Sequence, residues 1–190
     1  EEIQKEMKTV EWDAEAAEKA GFEHFMMKEI HEQPRAVKDT LNSVLKEGKF
    51  DLTDIGLSEE DIRRTSQIYI VACGSAYHVG MVAQYVIEDL VKIPVRVELA
   101  SEFRYRKPIL DPNGLVIIIS QSGETADSLA ALRETKAQGI RTLGIVNVVG
   151  SSIAREADKV FYTLAGPEIS VATTKAYSTQ LMASYILAIQ

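Results

Sequence analysis

The chain has 190 residues, enough for one domain with a substantial core, and its 46% hydrophobic and 26% charged residues are typical of globular proteins. A net charge of -7 argues against nucleic acid or an anionic membrane as a partner. No apolar run reaches membrane-spanning length, no signal peptide is present, and the single cysteine, Cys73, excludes an internal disulfide and favours a reducing cytoplasm.

The first twenty residues are acidic and rich in alanine, and their few apolar side chains, such as Trp12, have no clear partner. We expect residues 1–20 to be a linker or frayed helix, the remnant of a preceding domain. The chain begins with glutamate rather than methionine and ends within an apolar, helix-like run. We therefore expect a piece of a longer protein whose last helix is cut short, with residues 21–190 forming a single domain.

Two helices are predicted at the start of this domain, because residues 21–33 and 34–47 carry apolar side chains at helical spacing. Pro34 separates them, since proline breaks a helix but is tolerated in a first turn. The side chains expected to face the core are Phe22, Phe25, Met26 and Ile30, then Val37, Leu41, Val44 and Leu45. His24 and His31 have no third ligand nearby, so we interpret them as surface histidines and predict no metal site.

Five apolar segments predict β-strands that alternate with helices. The strands are residues 67–72, 95–99, 115–119, 141–147 and 159–163, and the helices are residues 76–91, 126–138, 151–157 and the run from Lys175 onward. This alternation predicts an α/β fold of three layers, flavodoxin-like, with a five-stranded parallel sheet covered on both faces. The residues expected to be fully buried in the sheet are Ile70, Val71, Ile117, Ile118 and Ile145. The helix after the first strand should turn inward Val79, Val82, Ala83, Val86 and Leu90.

The segment that organises the chain lies between the third strand and its helix, Ser120-Gln-Ser-Gly-Glu-Thr125. Three hydroxyl groups meet there with the unpaired backbone N–H groups of a helix N-terminus, whose dipole favours an anion. Because the segment contains no lysine or arginine, it differs from the Walker sequence and predicts a phosphate-monoester site built from neutral donors. The alternative is a plain helix cap, which needs only one hydroxyl. In the strand order 2-1-3-4-5, the loop after the first strand, Cys73-Gly-Ser75, opens onto the same crevice.

Residues 120–125 resemble the phosphosugar-binding loop of the sugar isomerase (SIS) domain family. Three longer stretches narrow the resemblance: Met27-Lys-Glu-Ile-His-Glu-Gln-Pro34, Ala100-Ser-Glu-Phe-Arg-Tyr-Arg-Lys-Pro108 and Val171-Ala-Thr-Thr-Lys-Ala-Tyr-Ser-Thr-Gln180. Together they are similar to the first isomerase domain of the glutamine–fructose-6-phosphate aminotransferases, and the similarity extends over residues 21–190.

The resemblance implies a role for each loop. It implies that the phosphate and adjacent hydroxyls of fructose 6-phosphate are held by Ser120, Gln121, Ser122 and Thr125. It implies that the sugar is lined by Cys73, Gly74 and Ser75 and contacted by Val171 and Thr173. Three residues depart from the family's more frequent ones. Ser75 replaces a threonine and Thr173 replaces a serine, and both keep a hydroxyl, whereas Ala76 replaces a serine and loses it.

That family makes glucosamine 6-phosphate from fructose 6-phosphate and glutamine, so the resemblance implies a fragment of an enzyme of amino-sugar biosynthesis. The family's glutaminase cysteine and acid–base residues belong to a glutaminase domain and a second SIS domain that are not in this chain. The resemblance therefore implies no catalytic residue here and no cofactor, and we expect phosphosugar binding without catalysis. The apolar run at residues 181–189 suggests burial against another surface, and we expect a homodimer.

Three charged features leave alternatives open. Glu124 is either a cap of the following helix or a base for proton transfer, and its place in the first turn favours the cap. Lys175 is the cation nearest the crevice, where it would attract phosphate or pair with a neighbouring subunit. Arg104, Arg106 and Lys107 form a solvated patch or a subunit contact, and the patch is the more common case.

Two other functions use the same fold: a regulatory module that senses a sugar phosphate, and a flavin mononucleotide binder. A regulator should carry a basic, DNA-reading pair of helices, whereas the N-terminal helices here are acidic. A flavin site should have aromatic residues beside the ring, and residues 73–76 and 120–125 contain none.

Overall fold

The structure is a computed structural model that describes residues 18–190. The predicted linker therefore lies mostly outside the described residues, since residues 1–17 are not among them. The first half contains α1 (Phe25–Asn42), β1 (Leu45–Lys46), β2 (Lys49–Phe50), a 3-10 turn (Thr53–Ile55), α2 (Glu59–Arg63), β3 (Ile68–Ala72), α3 (Gly74–Val91), β4 (Val95–Leu99) and α4 (Ala100–Arg106). The second half contains β5 (Leu115–Ser120), α5 (Ala126–Ala137), β6 (Arg141–Val146), α6 (Ser152–Glu156), β7 (Lys159–Tyr162) and α7 (Lys175–Ile189).

Strands β3 to β7 form one parallel sheet in the order β4-β3-β5-β6-β7, which confirms the predicted 2-1-3-4-5 order. The register sets Ala72 beside Ile119, so β3 and β5 end side by side. All five residues predicted to be fully buried are at most 2% exposed. The loops that follow β3 and β5 therefore open at one edge of the sheet, at its topological switch point.

Helices cover both faces of the sheet. On one face, Ile70 and Ile117 pack with side chains of α3 and α7, including Val79, Ala83, Ala183 and Ile186. On the other, Val71 and Ile118 pack with side chains of α4, α5 and α6, including Phe103, Leu132 and Ile153. This is the predicted three-layer α/β/α fold. No helix among residues 18–190 combines the length and the apolar character needed to cross a bilayer.

The N-terminal region corrects the prediction of two helices, because α1 runs unbroken through Pro34. Proline lacks the N–H that would bond to the carbonyl of Ile30, four residues earlier. The Gln33 side chain supplies a replacement donor, with Nε2 3.2 Å from the Ile30 oxygen. The helix ends at Asn42, and the following residues form the short β1–β2 hairpin.

The buried face of α1 also differs from the prediction. Met26, Ile30 and, in the hairpin, Leu45 are each about two-fifths exposed. The buried side chains of α1 are Lys28, Glu29, Ala36 and Thr40. The helix packs against α7 through a face that includes these polar side chains, so apolar spacing gives the wrong side for Met26 and Ile30. Val37 and Leu41 are half-buried, and Val44, just after the helix, is buried as predicted.

Two smaller differences from the prediction concern helix α3 and the segment after strand β4. Helix α3 buries Ala76, Val79, Gly80, Ala83 and Ile87, while Leu90, expected to be buried, is 57% exposed at the last turn. Residues 100–106, for which the sequence predicts no helix or strand, form α4, which is anchored by the fully buried Phe103.

Candidate functional site

A polar cleft of about 240 Å³ lies at the carboxyl edge of β3 and β5. Eight of the nine predicted site residues line it: Cys73, Ser75, Ser120, Gln121, Ser122, Thr125, Val171 and Thr173. The ninth, Gly74, is the first residue of α3 and adopts φ +57°, a left-handed conformation that suits glycine. The cleft thus brings together three loops, which are the β3–α3 turn, residues 120–125 and residues 168–174.

The 120–125 loop is braced by its own hydroxyl groups. The Gly123 N–H donates to Ser120 Oγ at 3.1 Å, and the Glu124 N–H donates to Ser122 Oγ at 3.2 Å. Ser120 Oγ also lies 2.9 Å from Thr125 Oγ1. These contacts turn the chain sharply between β5 and α5 and point hydroxyl groups into the cleft.

The plain helix-cap interpretation of this loop does not describe α5. Thr125 is the N-cap residue, yet its side chain makes no capping hydrogen bond. The N–H groups of the first turn therefore keep their capacity to bind an anion. Asp127 lies in that turn, and its carboxylate is paired with Arg104 Nη1 at 2.7 Å, which offsets its repulsion of a bound anion.

Residues 147–153 support the same loop from outside the cleft. The Asn147 N–H donates to the Gln121 carbonyl at 3.1 Å, and the Ile153 N–H donates to the Gly123 carbonyl at 3.0 Å. Gly123 adopts φ +66°, and a Cβ added there would lie 2.0 Å from Ser151 Oγ. Only glycine meets both requirements, so this close approach fixes the shape of the loop.

Glu124 points to this support and does not line the cleft. Its Oε1 accepts the Ser152 N–H at 2.6 Å. That hydrogen bonding lowers the pKa of the Glu124 carboxyl below its ordinary value of 4.5. The expectation that Glu124 lies in the first turn of α5 and caps that helix is wrong, because Glu124 precedes the N-cap residue Thr125 and bonds the first residue of α6 instead. A carboxylate of lowered pKa is a weak base, so this structural contact is favoured over proton transfer.

The 168–174 loop closes the cleft on the opposite side and contains a residue that sequence reasoning missed. Glu168 accepts the N–H groups of Thr174 at 2.9 Å and Ala176 at 3.1 Å, and the Thr173 hydroxyl at 2.8 Å. The carboxylate thereby caps α7 from a position seven residues before the helix begins. An acidic residue upstream of a helix start is the signal that could have identified it.

Lys175 is not a phosphate contact. Its side chain is 3% exposed, and Nζ lies 2.6 Å from Glu32 Oε2 of α1 in the same chain. It lines a separate cavity between α1 and residues 164–167. The expectation that it approaches the crevice is therefore wrong, because α1 supplies a half-buried partner, Glu32, away from the cleft.

The basic residues of α4 pair within the chain as well. Arg106 bonds the Glu98 carboxylate, as Arg104 bonds Asp127. His31 stacks on Phe22 near the start of α1, and both α1 histidines are exposed. Residues 18–190 hold no cluster of three metal-ligating side chains.

The described lining of the cleft is rich in neutral hydrogen-bonding groups. Its described lining residues include no lysine, arginine or histidine, and the one carboxylate among them, Glu168, is occupied by α7. Hydroxyl groups, an amide and a helix N-terminus are neutral donors suited to a phosphate monoester and sugar hydroxyls. Ala76 lines the cleft with a methyl group.

The SIS domain family matches residues 61–190. The glutamine–fructose-6-phosphate aminotransferase (isomerizing) of Clostridium tetani is 59% identical over 189 residues, which are 99% of this chain and 31% of that protein. The C-terminal domain of glucosamine-fructose-6-phosphate aminotransferase from Francisella tularensis has a TM-score of 0.86 and 46% identity, covering 90% of this chain and 48% of that one. For glucosamine-6-phosphate deaminase of Thermotoga maritima the TM-score is 0.72 at 28% identity, covering 87% of this chain and 48% of that one.

This chain spans about a third of the length of the curated relatives it matches. The family match nevertheless includes the whole parallel sheet and the three loops that form the cleft. The solved relatives superpose on the same layers over most of the chain. By sequence and by fold, the chain belongs to the SIS domain family.

Proposed function

We propose that this chain binds fructose 6-phosphate as the first SIS domain of a glutamine–fructose-6-phosphate aminotransferase. The observation that carries the proposal is the single cleft in which eight of the nine expected site residues meet. Relatives that are 57–59% identical over nearly the whole of this chain are named for this reaction, which supports the choice of phosphosugar.

The phosphate is assigned to the 120–125 loop. Ser120, Ser122 and Thr125 offer hydroxyl donors, Gln121 offers an amide, and the uncapped first turn of α5 adds N–H groups and a favourable dipole. The sugar is assigned to the opposite walls, formed by Cys73, Gly74 and Ser75 on one side and Val171 and Thr173 on the other.

In this proposal the domain orients the substrate, and proton transfer belongs to parts of the enzyme outside this chain. A ketose–aldose isomerisation requires a base close to the reacting carbons. The cleft offers no such group among its described lining residues, since Glu168 is occupied and Glu124 faces residues 151–152. The glutaminase domain, the second SIS domain, a homodimeric assembly and a cytoplasmic location are parts of the same proposal.

A titration with three ligands tests the binding. We expect fructose 6-phosphate to bind with a Kd on the order of 1 mM, about -4 kcal/mol, because this chain supplies only part of the pocket. Fructose should bind more weakly, since it lacks the group that the 120–125 loop holds, and inorganic phosphate should compete. Equal affinity for fructose and fructose 6-phosphate would contradict the assignment of that loop.

The absence of turnover is a second test. When the chain is incubated with fructose 6-phosphate, with and without ammonia, NMR should detect neither glucose 6-phosphate nor glucosamine 6-phosphate. Turnover that survives removal of contaminating isomerase and disappears in Glu124→Gln would instead make Glu124 a catalytic base.

The phosphosugar-sensing module is the less favoured alternative. It shares the fold, and fold alone does not decide function. The relatives at 59% identity are named as aminotransferases, and the match to them extends across α1 as well as the SIS core.

A further inference from the structure

Helix α1 reaches the 168–174 loop and the start of α7 through three polar side chains. Glu29 Oε1 accepts the Ile169 N–H at 2.6 Å and the Ser170 N–H at 3.2 Å. Glu32 pairs with Lys175, and the Ser178 hydroxyl donates to Gln33 Oε1 at 2.6 Å. Residues 29–33 thus contact both the 168–174 loop, through Glu29, and the start of α7, through Glu32 and Gln33.

Glu29 is the member of this set that touches the loop itself. Its side chain is 2% exposed, and Oε2 has no hydrogen-bond partner among residues 18–190. Burying a carboxylate is costly unless it accepts hydrogen bonds, so such a residue persists where its acceptor atoms are needed. Here the acceptor serves two consecutive backbone N–H groups that no strand or helix satisfies.

The loop has few other constraints. It is irregular in structure, and Val171 at its tip is fully exposed. Glu168 ties its far end to α7, and Glu29 ties the residues just before the tip. Ser170, Val171 and Thr173 line the cleft from this loop.

We propose that Glu29 is a positioning residue that holds the 168–174 loop in the conformation presenting Ser170, Val171 and Thr173 to the sugar. This inference rests on the proposed function, because it assumes that the cleft holds a phosphosugar with its sugar against that loop. Glu29 acts through the backbone of residues 169–170 and does not itself line the cleft.

The inference predicts a selective effect. The 120–125 loop is supported by residues 147–153, and none of its hydrogen bonds within residues 18–190 involves α1. Loss of the Glu29 contact should therefore loosen the sugar side of the cleft and leave the phosphate side intact. A general loss of stability would weaken both sides together.

The test compares Glu29→Ala and Glu29→Gln with Thr40→Val. Thr40 is a matched control, because it is a buried polar residue of α1 whose hydroxyl bonds the Thr163 carbonyl outside the 168–174 loop. Glu29→Gln keeps an oxygen that can accept both N–H groups. Each variant is titrated with fructose 6-phosphate and with inorganic phosphate, and amide hydrogen exchange is followed at Ile169, Ser170 and Gly123.

In Glu29→Ala we expect fructose 6-phosphate to bind about 5- to 20-fold more weakly, because one or two backbone residues of the loop must then be ordered on binding. Binding of inorganic phosphate should be unchanged. Exchange at Ile169 and Ser170 should become at least about tenfold faster, and exchange at Gly123 should stay the same. Glu29→Gln should keep affinity within about threefold of the parent chain. Thr40→Val should lower the melting temperature and leave both affinities unchanged.

Equal losses for both ligands, or unchanged exchange at Ile169 and Ser170, would overturn the inference. So would an equal loss of affinity in Glu29→Gln and Glu29→Ala. If Glu29→Ala does not fold, Glu29→Asp takes its place, since its shorter side chain withdraws the carboxylate from the loop and should give the same selective loss. If the parent chain binds neither ligand, the proposed function fails, and the exchange data alone decide the role of Glu29.

Discussion

The two loops that face each other across the cleft are held in different ways. Residues 120–125 directly follow β5, a strand buried on both faces, and their supporting contacts come from residues 147–153. Residues 168–174 follow the edge strand β7 after an irregular stretch, and Glu29 supports them from 140 residues away in sequence. The phosphate side is thus shaped by local sequence, whereas the sugar side depends on a distant helix.

The strand beneath each loop offers the largest test of this difference. Ile118→Ala in β5 should lower the free energy of unfolding by about 2–5 kcal/mol, because the side chain is fully buried and its loss leaves a cavity. Val160→Ala in the partly exposed edge strand β7 should lower it by only about 1 kcal/mol. Urea unfolding measures both losses, and similar values would mean that β5 and β7 contribute equally to the stability of the sheet beneath the two loops.

The glycine of the 120–125 loop gives the next largest effect. Gly123→Ala should cost about 2–4 kcal/mol, from its left-handed backbone and the displacement of Ser151. Gly139→Ala is the matched control, because its φ is +73° but a Cβ there meets nothing within 4 Å, so its cost should be about 1 kcal/mol. Adding Ser151→Gly to the first variant should recover part of its loss. Equal costs at both glycines would show that the approach of Ser151 is unimportant.

Substitutions in the two loops should differ in which ligand they affect. Ser122→Ala or Thr125→Val should weaken binding of both fructose 6-phosphate and inorganic phosphate about 10- to 100-fold, because hydrogen bonds to a charged group are worth about 1.5–3 kcal/mol each. Thr173→Val should weaken fructose 6-phosphate alone. Unchanged affinity in the first two variants, with normal melting, would mean that these hydroxyl groups do not hold the phosphate.

The smallest effect concerns pH and the outer support of the 120–125 loop. The hydrogen bonds from Ser152 lower the pKa of Glu124, so their stabilisation is present above its ordinary value of 4.5 and is lost as the pH falls through the lower folded value. The free energy of unfolding should therefore fall more steeply in the parent chain than in Glu124→Gln from about pH 5 to about pH 3. Parallel pH profiles would mean that this contact does not persist in solution.

The parts of the molecule that could be predicted are those encoded over short stretches. Continuous apolar runs such as residues 115–119 identify buried strands, and alternation with helices leads to the order of the sheet. The grouping of Ser75, Ser122 and Thr125 in one cleft follows from that order. Each step needs only neighbouring residues and a general rule of topology.

The errors arise where distant contacts override local preference. Pro34 should end a helix, but Gln33 replaces its missing donor and the packing of α1 on α7 preserves the helix. Lys175 is predicted to lie at the crevice and Glu29 has no predicted role, yet contacts between α1 and residues 169–175 bury both. Periodicity cannot show such pairings, because the partner does not lie in the same window of sequence.

The distance between α1 and its partners has a consequence for the order in which the chain acquires structure. Contacts between residues far apart in sequence form late, because the entropy of closing the intervening chain must be overcome first. The 120–125 loop needs only residues up to 153, so it can take shape before residues 169–178 have been synthesised. Helix α1 precedes all of these residues in the sequence, but it cannot join residues 169–178 until they have been made. The 120–125 loop therefore forms before the 168–174 loop, and the packing of α1 against residues 169–178 is the last step in forming the cleft.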